Sequence, residues 1–98
     1  MKMIYKYPMG MEIHHNAVIE MDLPKGAKIL DIQMQGLIPM LWAIVNPKHE
    51  TRKRTFHVFG TGFEMSDYDK KHYDYITTVQ QSTVLGGPLV WHVFEVHE

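Results

Sequence analysis

The amino-acid sequence predicts a single, mostly β domain over residues 1–98, with about seven short antiparallel strands in a small sandwich or barrel. Short apolar runs are separated by turn residues at nearly even spacing, and no long stretch repeats its apolar residues with a helical period. The connections are too short for crossovers between parallel strands, which favours antiparallel pairing. We expect at most one short helix.

The first two strands are predicted near the start of the chain. Lys2–Tyr7 alternates in character and ends at Pro8, which has no N–H to donate to a strand ladder. Ala17–Met21 is the second candidate. Pro24-Lys25-Gly26 then predicts a turn, with Pro at its second position and Gly at its fourth.

The next two strands differ in their pattern. Lys28–Gln35 alternates most clearly, with Leu30, Ile32 and Met34 on one face and polar residues on the other, which is typical of a half-buried strand. Met40–Val45 is apolar on both faces. It is therefore predicted to be a central strand that is buried on both sides.

Three further strands are predicted over Arg52–Phe59, Tyr75–Thr83 and Leu89–Val96. The most polar stretch, Glu64–Asp74, is the longest candidate loop, and it has room for a helix of one or two turns capped by Ser66 or Asp67. Gly86-Gly87 is expected to form a hairpin turn.

The overall composition is that of an ordinary globular protein. Hydrophobic residues make up 45% and charged residues 21%, and the formal net charge is -1, which argues against nucleic acid as a partner. The absence of Cys excludes disulfides and thiolate metal ligands. The residues from Met1 to Pro8 do not form the apolar core of a signal peptide, and no apolar run is long enough to span a membrane. The expected location is the cytoplasm.

The seven histidines do not show the spacing of a metal site. Two ligands on one face of a strand need an even spacing, and no His-x-His pair occurs. His14 and His15 are adjacent, and folding alone would have to bring together a pair such as His57 and His92. We expect separate histidines, no bound metal and no cofactor.

No residue pattern predicts catalysis. Ser66 and Ser82 are the only serines, and neither lies in a Gly-x-Ser-x-Gly nucleophile elbow. The carboxylates of Glu64–Asp74 are explained by a polar loop that faces water. We therefore do not expect an enzyme, and we name no catalytic residue.

The candidate ligand-binding residues are Arg52, Arg54, Gly60, Thr61 and Gly62. Paired arginines can bind phosphate through two nitrogens each, and the glycine segment resembles part of a phosphate-binding loop, although no helix follows it. A nucleotide-like ligand is one hypothesis for this set. The alternatives are a turn that needs positive φ and a charged edge strand that blocks unwanted pairing.

The candidate self-association residues are Met40, Trp42, Ile44, Leu89, Trp91 and Val93. They lie in two strands that are apolar on both faces, and a sheet of this size cannot easily cover both sides of two strands. This predicts a homo-oligomer, to which methionines such as Met9 and Met11 would add adaptable apolar surface. The alternative is a closed barrel or sandwich that buries all of these residues.

A set of short motifs follows in order along nearly the whole chain: Ile4-Tyr5-Lys6-Tyr7-Pro8, Leu23-Pro24-Lys25-Gly26-Ala27-Lys28-Ile29-Leu30, Leu41-Trp42-Ala43, Arg54-Thr55-Phe56, Phe59-Gly60-Thr61-Gly62 and Trp91-His92-Val93-Phe94-Glu95-Val96. This set resembles a family of small bacteriophage and prophage proteins of unknown function. The resemblance implies a viral origin and action inside a bacterial cell, and it implies no activity.

These observations lead to three hypotheses about function. The first is a non-enzymatic phage accessory protein that binds a host protein inside the bacterial cell. The second is a protein that sequesters a small nucleotide-like ligand, and the third is a structural or assembly component of the phage. The reasoning from phage proteins to host binding is an analogy between classes of protein.

Overall fold

The computed structural model describes residues 1–10, 13–83 and 85–97. Within these residues the chain forms β1 Met3–Pro8, β2 Val18–Pro24, β3 Lys28–Gln35, β4 Ile38–Val45, β5 Thr51–Gly60, β6 His72–Gln81 and β7 Leu89–His97. Every pairing is antiparallel. The described residues contain no helix, and so none that could cross a membrane.

The strands form two sheets that pack as a small sandwich. Sheet A has the order β1-β4-β3, and sheet B has the order β2-β5-β7-β6. The inner side chains of both sheets form the hydrophobic core, which includes Leu41 and Val45 from β4, Phe56 and Val58 from β5, and Val93 from β7. The described strands stay in two sheets and do not close into one barrel. The predicted fold class is therefore confirmed, and the sandwich is its correct form.

Several strands extend beyond their predicted bounds because their partners continue the ladder, most clearly β2 and β6. β2 continues to Pro24, since residues 22–24 still pair with β5. β6 begins at His72, which lies directly opposite His97 of β7. Between β5 and β6, the amides of Tyr68 and Lys70 bond to nearby carbonyls in successive turns. The short helix considered for Glu64–Asp74 does not form there.

A bulge changes the inward face of β3. The register with β4 shifts between Ile29 and Asp31, so Ile29 packs against the core and Leu30 is 44% exposed. The placement of Leu30 with Ile32 and Met34 was therefore wrong. A strict two-residue alternation assumes a ladder without a bulge. One extra residue moves every side chain before the bulge to the opposite face of the sheet.

The turn before β3 also lies one residue later than predicted. The amide of Ala27 donates to the carbonyl of Pro24 at 3.0 Å, and Gly26 has a φ of 79°. Gly26 is thus the third residue of the turn, where a positive φ is needed in a type II turn. Met9 is buried in the core, and Met11 lies outside the described residues.

β4 is the central strand of sheet A, as predicted, but it is buried on one face only. Leu41, Ala43 and Val45 are fully buried, while the side chains between them are half-buried on the outer face. The prediction of burial on both sides was therefore wrong. A two-layer sandwich covers the inner face of each sheet and leaves the other face to loops or to water.

Candidate interaction surface

The outer face of sheet A carries an apolar stripe along β4, formed by Ile38, Met40, Trp42 and Ile44. We call these four residues the β4 stripe. The hairpin that joins β3 to β4 turns at Gly36, whose φ of 65° suits the tight two-residue connection. This connection is too short to fold back over the stripe.

Polar side chains border the β4 stripe on both sides. On the β3 side, Gln33 donates to the carboxylate of Asp31 at 2.8 Å. On the β1 side lies Lys6, whose ammonium donates to the amide oxygen of Gln35 of β3 at 3.2 Å, so this one bond crosses over the stripe. Ile4, which is 63% exposed, continues the apolar surface onto β1. An apolar centre with a polar rim is the usual anatomy of a protein–protein interface.

Hydrogen bonds fix the carboxylate of Asp31 at this rim. Bonds from Gln33, the amide of Ile32 and Thr77 hold the pKa of Asp31 below its ordinary value, against the opposing and larger single effect of partial burial. Asp31 therefore stays charged at neutral pH and offers a fixed negative site beside Trp42. Lys6 supplies the positive site on the opposite side of the stripe.

The candidate self-association residues separate into two groups. Met40, Trp42 and Ile44 lie on the outer face of sheet A, and Leu89 is exposed at the start of β7. Trp91 and Val93 are buried inside the chain. The indole N–H of Trp91 donates to Gln81 at 3.2 Å. A partner protein can therefore reach the first group and not these last two residues.

The structure does not bring the candidate ligand-binding residues together. Arg52 and Arg54 lie near the start of β5 and Gly60 is its last residue. Six residues of extended strand, from Arg54 to Gly60, span roughly 20 Å. A small nucleotide cannot be bound by both arginines and by the glycine segment in this arrangement.

Each cation of β5 already has a carboxylate partner. Arg52 pairs with Glu50 at 2.6 Å, and Lys53 pairs with Glu20 at 3.3 Å, both on the surface. Arg54 and Glu95 form a pair that is largely shielded from water at the end of the core. The hydrogen bond to Glu95 raises the pKa of Arg54, and the guanidinium also donates to the carbonyl of Ala27 at 2.9 Å. The donors of Arg54 are thus used inside the protein.

Close packing explains Gly60 without a bound phosphate. A side-chain carbon at this position would lie 2.8 Å from the ring of Phe63 and 3.1 Å from the ring of Trp91. Gly62 has a φ of 87°, which is a conformation that favours glycine. Thr61 bonds His92 at 2.7 Å. The segment is a tight turn at the end of β5.

The outer face of sheet B carries an aromatic cluster that the chain itself covers. Phe59 is only 2% exposed although it points away from the main core, and it contacts His57, Tyr73 and Phe94. Two elements cover this cluster. Tyr68, from the β5–β6 connection, stacks on Tyr73. His15, from the segment before β2, lies beside Phe59 at 6.0 Å between centroids, and Phe63 stacks on His15 at 4.3 Å. Sequence reasoning missed this cover, because Tyr68 lies among the polar residues of a stretch that was interpreted as a loop facing water.

The histidines have separate polar partners. His57 contacts Asn16 at 3.2 Å, and His92 lies between the hydroxyls of Thr61 and Thr78 at 2.7 and 3.0 Å. Asn16 has a φ of 64°, which asparagine tolerates better than most residues. His57 and His92 are on neighbouring strands, β5 and β7, but each bonds to other groups. Among the described residues, no group of three or more His, Asp or Glu has a geometry that would hold a metal ion.

A further cluster of polar side chains lies where β6 begins and β7 ends. Asp74 accepts from His72 and from His97, each at 2.9 Å, at the edge of the β6–β7 pair. The bond from His72 is the main cause that lowers the pKa of Asp74. All three side chains are well exposed.

The whole chain, residues 1–98, matches the family model of a domain of unknown function, DUF7352. The chain belongs to this family. No curated protein and no solved structure matches this DUF7352 chain. The family match covers the fold as a unit and assigns no role to the β4 stripe or to any other residue of the DUF7352 chain.

Proposed function

We propose that this DUF7352 protein acts by binding, without catalysing a reaction, and that its target is a protein of a bacterial host cell. The observation that carries the proposal is the β4 stripe, an apolar strip with a polar rim that is crossed by the Lys6–Gln35 bond and over which no described segment of the backbone folds. Trp and Met are enriched at protein interfaces, and a Trp at the centre of such a patch is a frequent hot spot.

The stripe also indicates the chemistry of the partner. Lys6 and Asp31 lie on opposite sides of Trp42 in the same row of sheet A, as the registers of β1 and β3 with β4 require. We expect a partner surface that presents aliphatic or aromatic side chains to the stripe, with one acidic and one basic group on either side. Nucleic acid lacks that combination, since its backbone offers only negative charge.

The resemblance to small bacteriophage and prophage proteins supports a bacterial host cytoplasm as the place of action. Proteins of this size that act on a host commonly do so by occupying a host protein, and this remains an analogy between classes of protein. The pairing of every β5 cation with a carboxylate argues for this function over sequestering of a nucleotide.

The test uses Trp42→Glu with Val18→Glu as its matched control. Val18 is an exposed apolar residue of β2, at an edge of the other sheet, so both variants add the same charge at an apolar surface position. Cross-linking in bacterial cells through Lys6 and Lys28 would identify host proteins beside the stripe. A purified candidate would then be titrated against each form of the protein.

We expect a single host protein whose dissociation constant rises at least about tenfold for Trp42→Glu and stays unchanged for Val18→Glu. Equal binding to both variants would overturn the proposal. Recovery of the protein as a stoichiometric component of purified virions would overturn it as well, because it would then be a structural component of the phage.

A further inference from the structure

The edge strands of the two sheets differ in how they are protected against pairing. β3 and β6 each contain a bulge and lie against one another, and β2 carries the acidic residues Glu20 and Asp22. β1 pairs with β4 without interruption from Met3 to Pro8, and its one charged residue is Lys6. Bulges, charges and coverage are the devices that keep edges from pairing, and β1 has the fewest of them in the described chain.

The free hydrogen-bonding groups of β1 follow from its register. The amide of Met9 donates to the carbonyl of Pro39 at 2.9 Å, which makes this a hydrogen-bonded pair. Such pairs alternate along an antiparallel ladder, so the odd-numbered residues of β1 bond to β4 and the even-numbered ones point outward. Ile4 and Lys6 therefore each offer a free N–H and a free C=O, while Pro8 offers only its carbonyl.

We propose that β1 is a self-pairing edge, at which two copies of this chain join β1 to β1 antiparallel about a two-fold axis through Tyr5. The two three-stranded sheets A then form one continuous six-stranded sheet. This inference is independent of the proposed function, because it concerns the second copy and not a host protein.

The charges of β1 select this register among the alternatives. Centred on Tyr5, the axis pairs all of residues 2–8 and places Ile4 opposite Lys6 of the second copy. Centred on Ile4, the axis would place Lys2 opposite Lys6, and centred on Lys6 it would place the two Lys6 side chains together. Like charges directly opposite each other are unfavourable in a sheet.

The same register forms a complete set of backbone bonds. Ile4 and Lys6 of each copy exchange N–H···O bonds with Lys6 and Ile4 of the other, and the N–H of Lys2 meets the carbonyl of Pro8. The missing N–H of Pro8 then lies at the end of the ladder, where proline is tolerated.

The side chains of β1 gain cover from this pairing. Met3 and Tyr5 are 42% and 37% exposed, although they point to the same side as the core, since sheet B does not extend over β1. In the pair, Met3 meets Tyr7 of the second copy and Tyr5 meets Tyr5. The two-fold axis is perpendicular to the sheet, so both β4 stripes face the same direction at roughly 14 Å, three strand spacings apart.

A cysteine substitution tests the register directly, because the native chain has no Cys. Tyr5 lies on the axis in a pair without backbone bonds, where Cα atoms are about 4.5 Å apart and within reach of a disulfide. We expect Tyr5→Cys to form a covalent dimer under mild oxidation. Met3→Cys is the matched control, since Met3 has similar exposure but faces Tyr7, and it is expected to remain uncross-linked.

A pair of charge variants tests the same register without oxidation. Ile4→Glu would place a carboxylate opposite Lys6 of the second copy, and Ile4→Lys would place two ammonium groups opposite each other. The substitution site is 63% exposed, so both variants are expected to fold. By sedimentation equilibrium at low salt, we expect the dimer dissociation constant to fall about three- to tenfold for Glu and to rise by a similar factor for Lys.

Three results would overturn the proposal. Wild-type protein that stays monomeric up to millimolar concentration would exclude the dimer. Efficient cross-linking of Met3→Cys in place of Tyr5→Cys would exclude the register. Weakening by both Ile4 variants would indicate a dimer that packs through the apolar face instead of the edge. None of these results bears on whether the β4 stripe binds a host protein.

Discussion

The outer faces of the two sheets carry similar side chains in different surroundings. On sheet B, Phe59 and His57 lie under a cover supplied by the chain, and Phe59 is almost completely buried. On sheet A, Met40, Trp42 and Ile44 stay half-buried, and among the described residues only the side-chain bond between Lys6 and Gln35 passes over this strand.

The lengths of the neighbouring connections explain the difference. Residues 61–71 join β5 to β6, and they are numerous enough to place Tyr68 over the outer face of sheet B. Only Gly36 and Leu37 join β3 to β4, so no side chain can return over the β4 stripe from there. One outer face is therefore covered by the chain itself, while the other stays open except for the Lys6–Gln35 bond.

The largest expected effect is a difference in the unfolding free energy lost by two variants, Phe59→Ala and Trp42→Ala. Truncation of a buried Phe costs about 3–5 kcal/mol of unfolding free energy. Trp42 keeps part of its surface in water, so we expect its truncation to cost only about 1 kcal/mol. Urea unfolding of the two variants and the wild type, followed by circular dichroism, measures both values.

Equal losses of unfolding free energy in these two variants would contradict the proposed difference between the two outer faces. The β4 stripe would then belong to the folding core as much as the aromatic cluster does, and its exposure would not mark a binding surface. A smaller loss for Phe59→Ala than for Trp42→Ala would indicate that the cover over sheet B does not persist in solution.

A medium loss of stability is expected for Gly60→Ala, which tests the packing at the end of β5, where Gly60 lies against Phe63 and Trp91. The added methyl group would lie 2.8 Å from the ring of Phe63 and 3.1 Å from Trp91, and the buried Trp91 has little freedom to move. Overpacking of this kind costs about 1–3 kcal/mol. Gly86→Ala is the control, because its nearest neighbour is 3.6 Å away. Thermal unfolding compares the two variants.

Combining Gly60→Ala with Phe63→Ala separates the contributions of Phe63 and Trp91 to this loss of stability. If the clash with Phe63 dominates, Gly60→Ala should cost less in a Phe63→Ala background, since the two residues are in contact and their effects are not additive. An unchanged cost would assign the effect to Trp91 and the main core.

The sequence predicted those features of the fold that local patterns determine. The seven strands and most turns follow from alternation and from Gly and Pro, which act within a few residues. The bulge at Leu30 was missed because it depends on how β3 meets β4. The Arg54–Glu95 pair was missed because its members are 41 positions apart and become neighbours only through the order of sheet B.

The β4 stripe was predicted only in part, because its exposure depends on contacts between distant parts of the chain. The apolar character of Met40–Val45 correctly indicated a strand with apolar side chains on both faces. The sequence alone does not show how many layers of the fold cover those faces. Which face stays open depends on the number of sheets and on the length of the connections. For Trp91, a similar apolar pattern led to burial, because this side chain points into the core between the two sheets.

The smallest expected effect is a pH dependence of stability that arises from His57, which lies in the covered aromatic cluster on the outer face of sheet B. Burial is the main cause that lowers the pKa of His57 below 6.5, and the charges of Lys71 and His15 lower it further, while Asp67 acts in the opposite direction. The folded protein therefore holds His57 neutral at a pH where the unfolded chain has already bound a proton. Stability should fall as the pH decreases from 6.5 to the lower pKa of the folded state, and below that value no further loss should arise from this residue.

His57→Gln should remove this part of the pH dependence, and His14→Gln, at an exposed position, should leave it unchanged. The measurement is the unfolding free energy in urea at pH 7.5, 6.5 and 5.5 for both variants and the wild type. The other histidines are common to all three proteins, so the difference in slope belongs to His57. An identical slope in His57→Gln would mean that water reaches His57 in solution. The β5–β6 connection would then be open much of the time, and the outer faces of the two sheets would be alike after all.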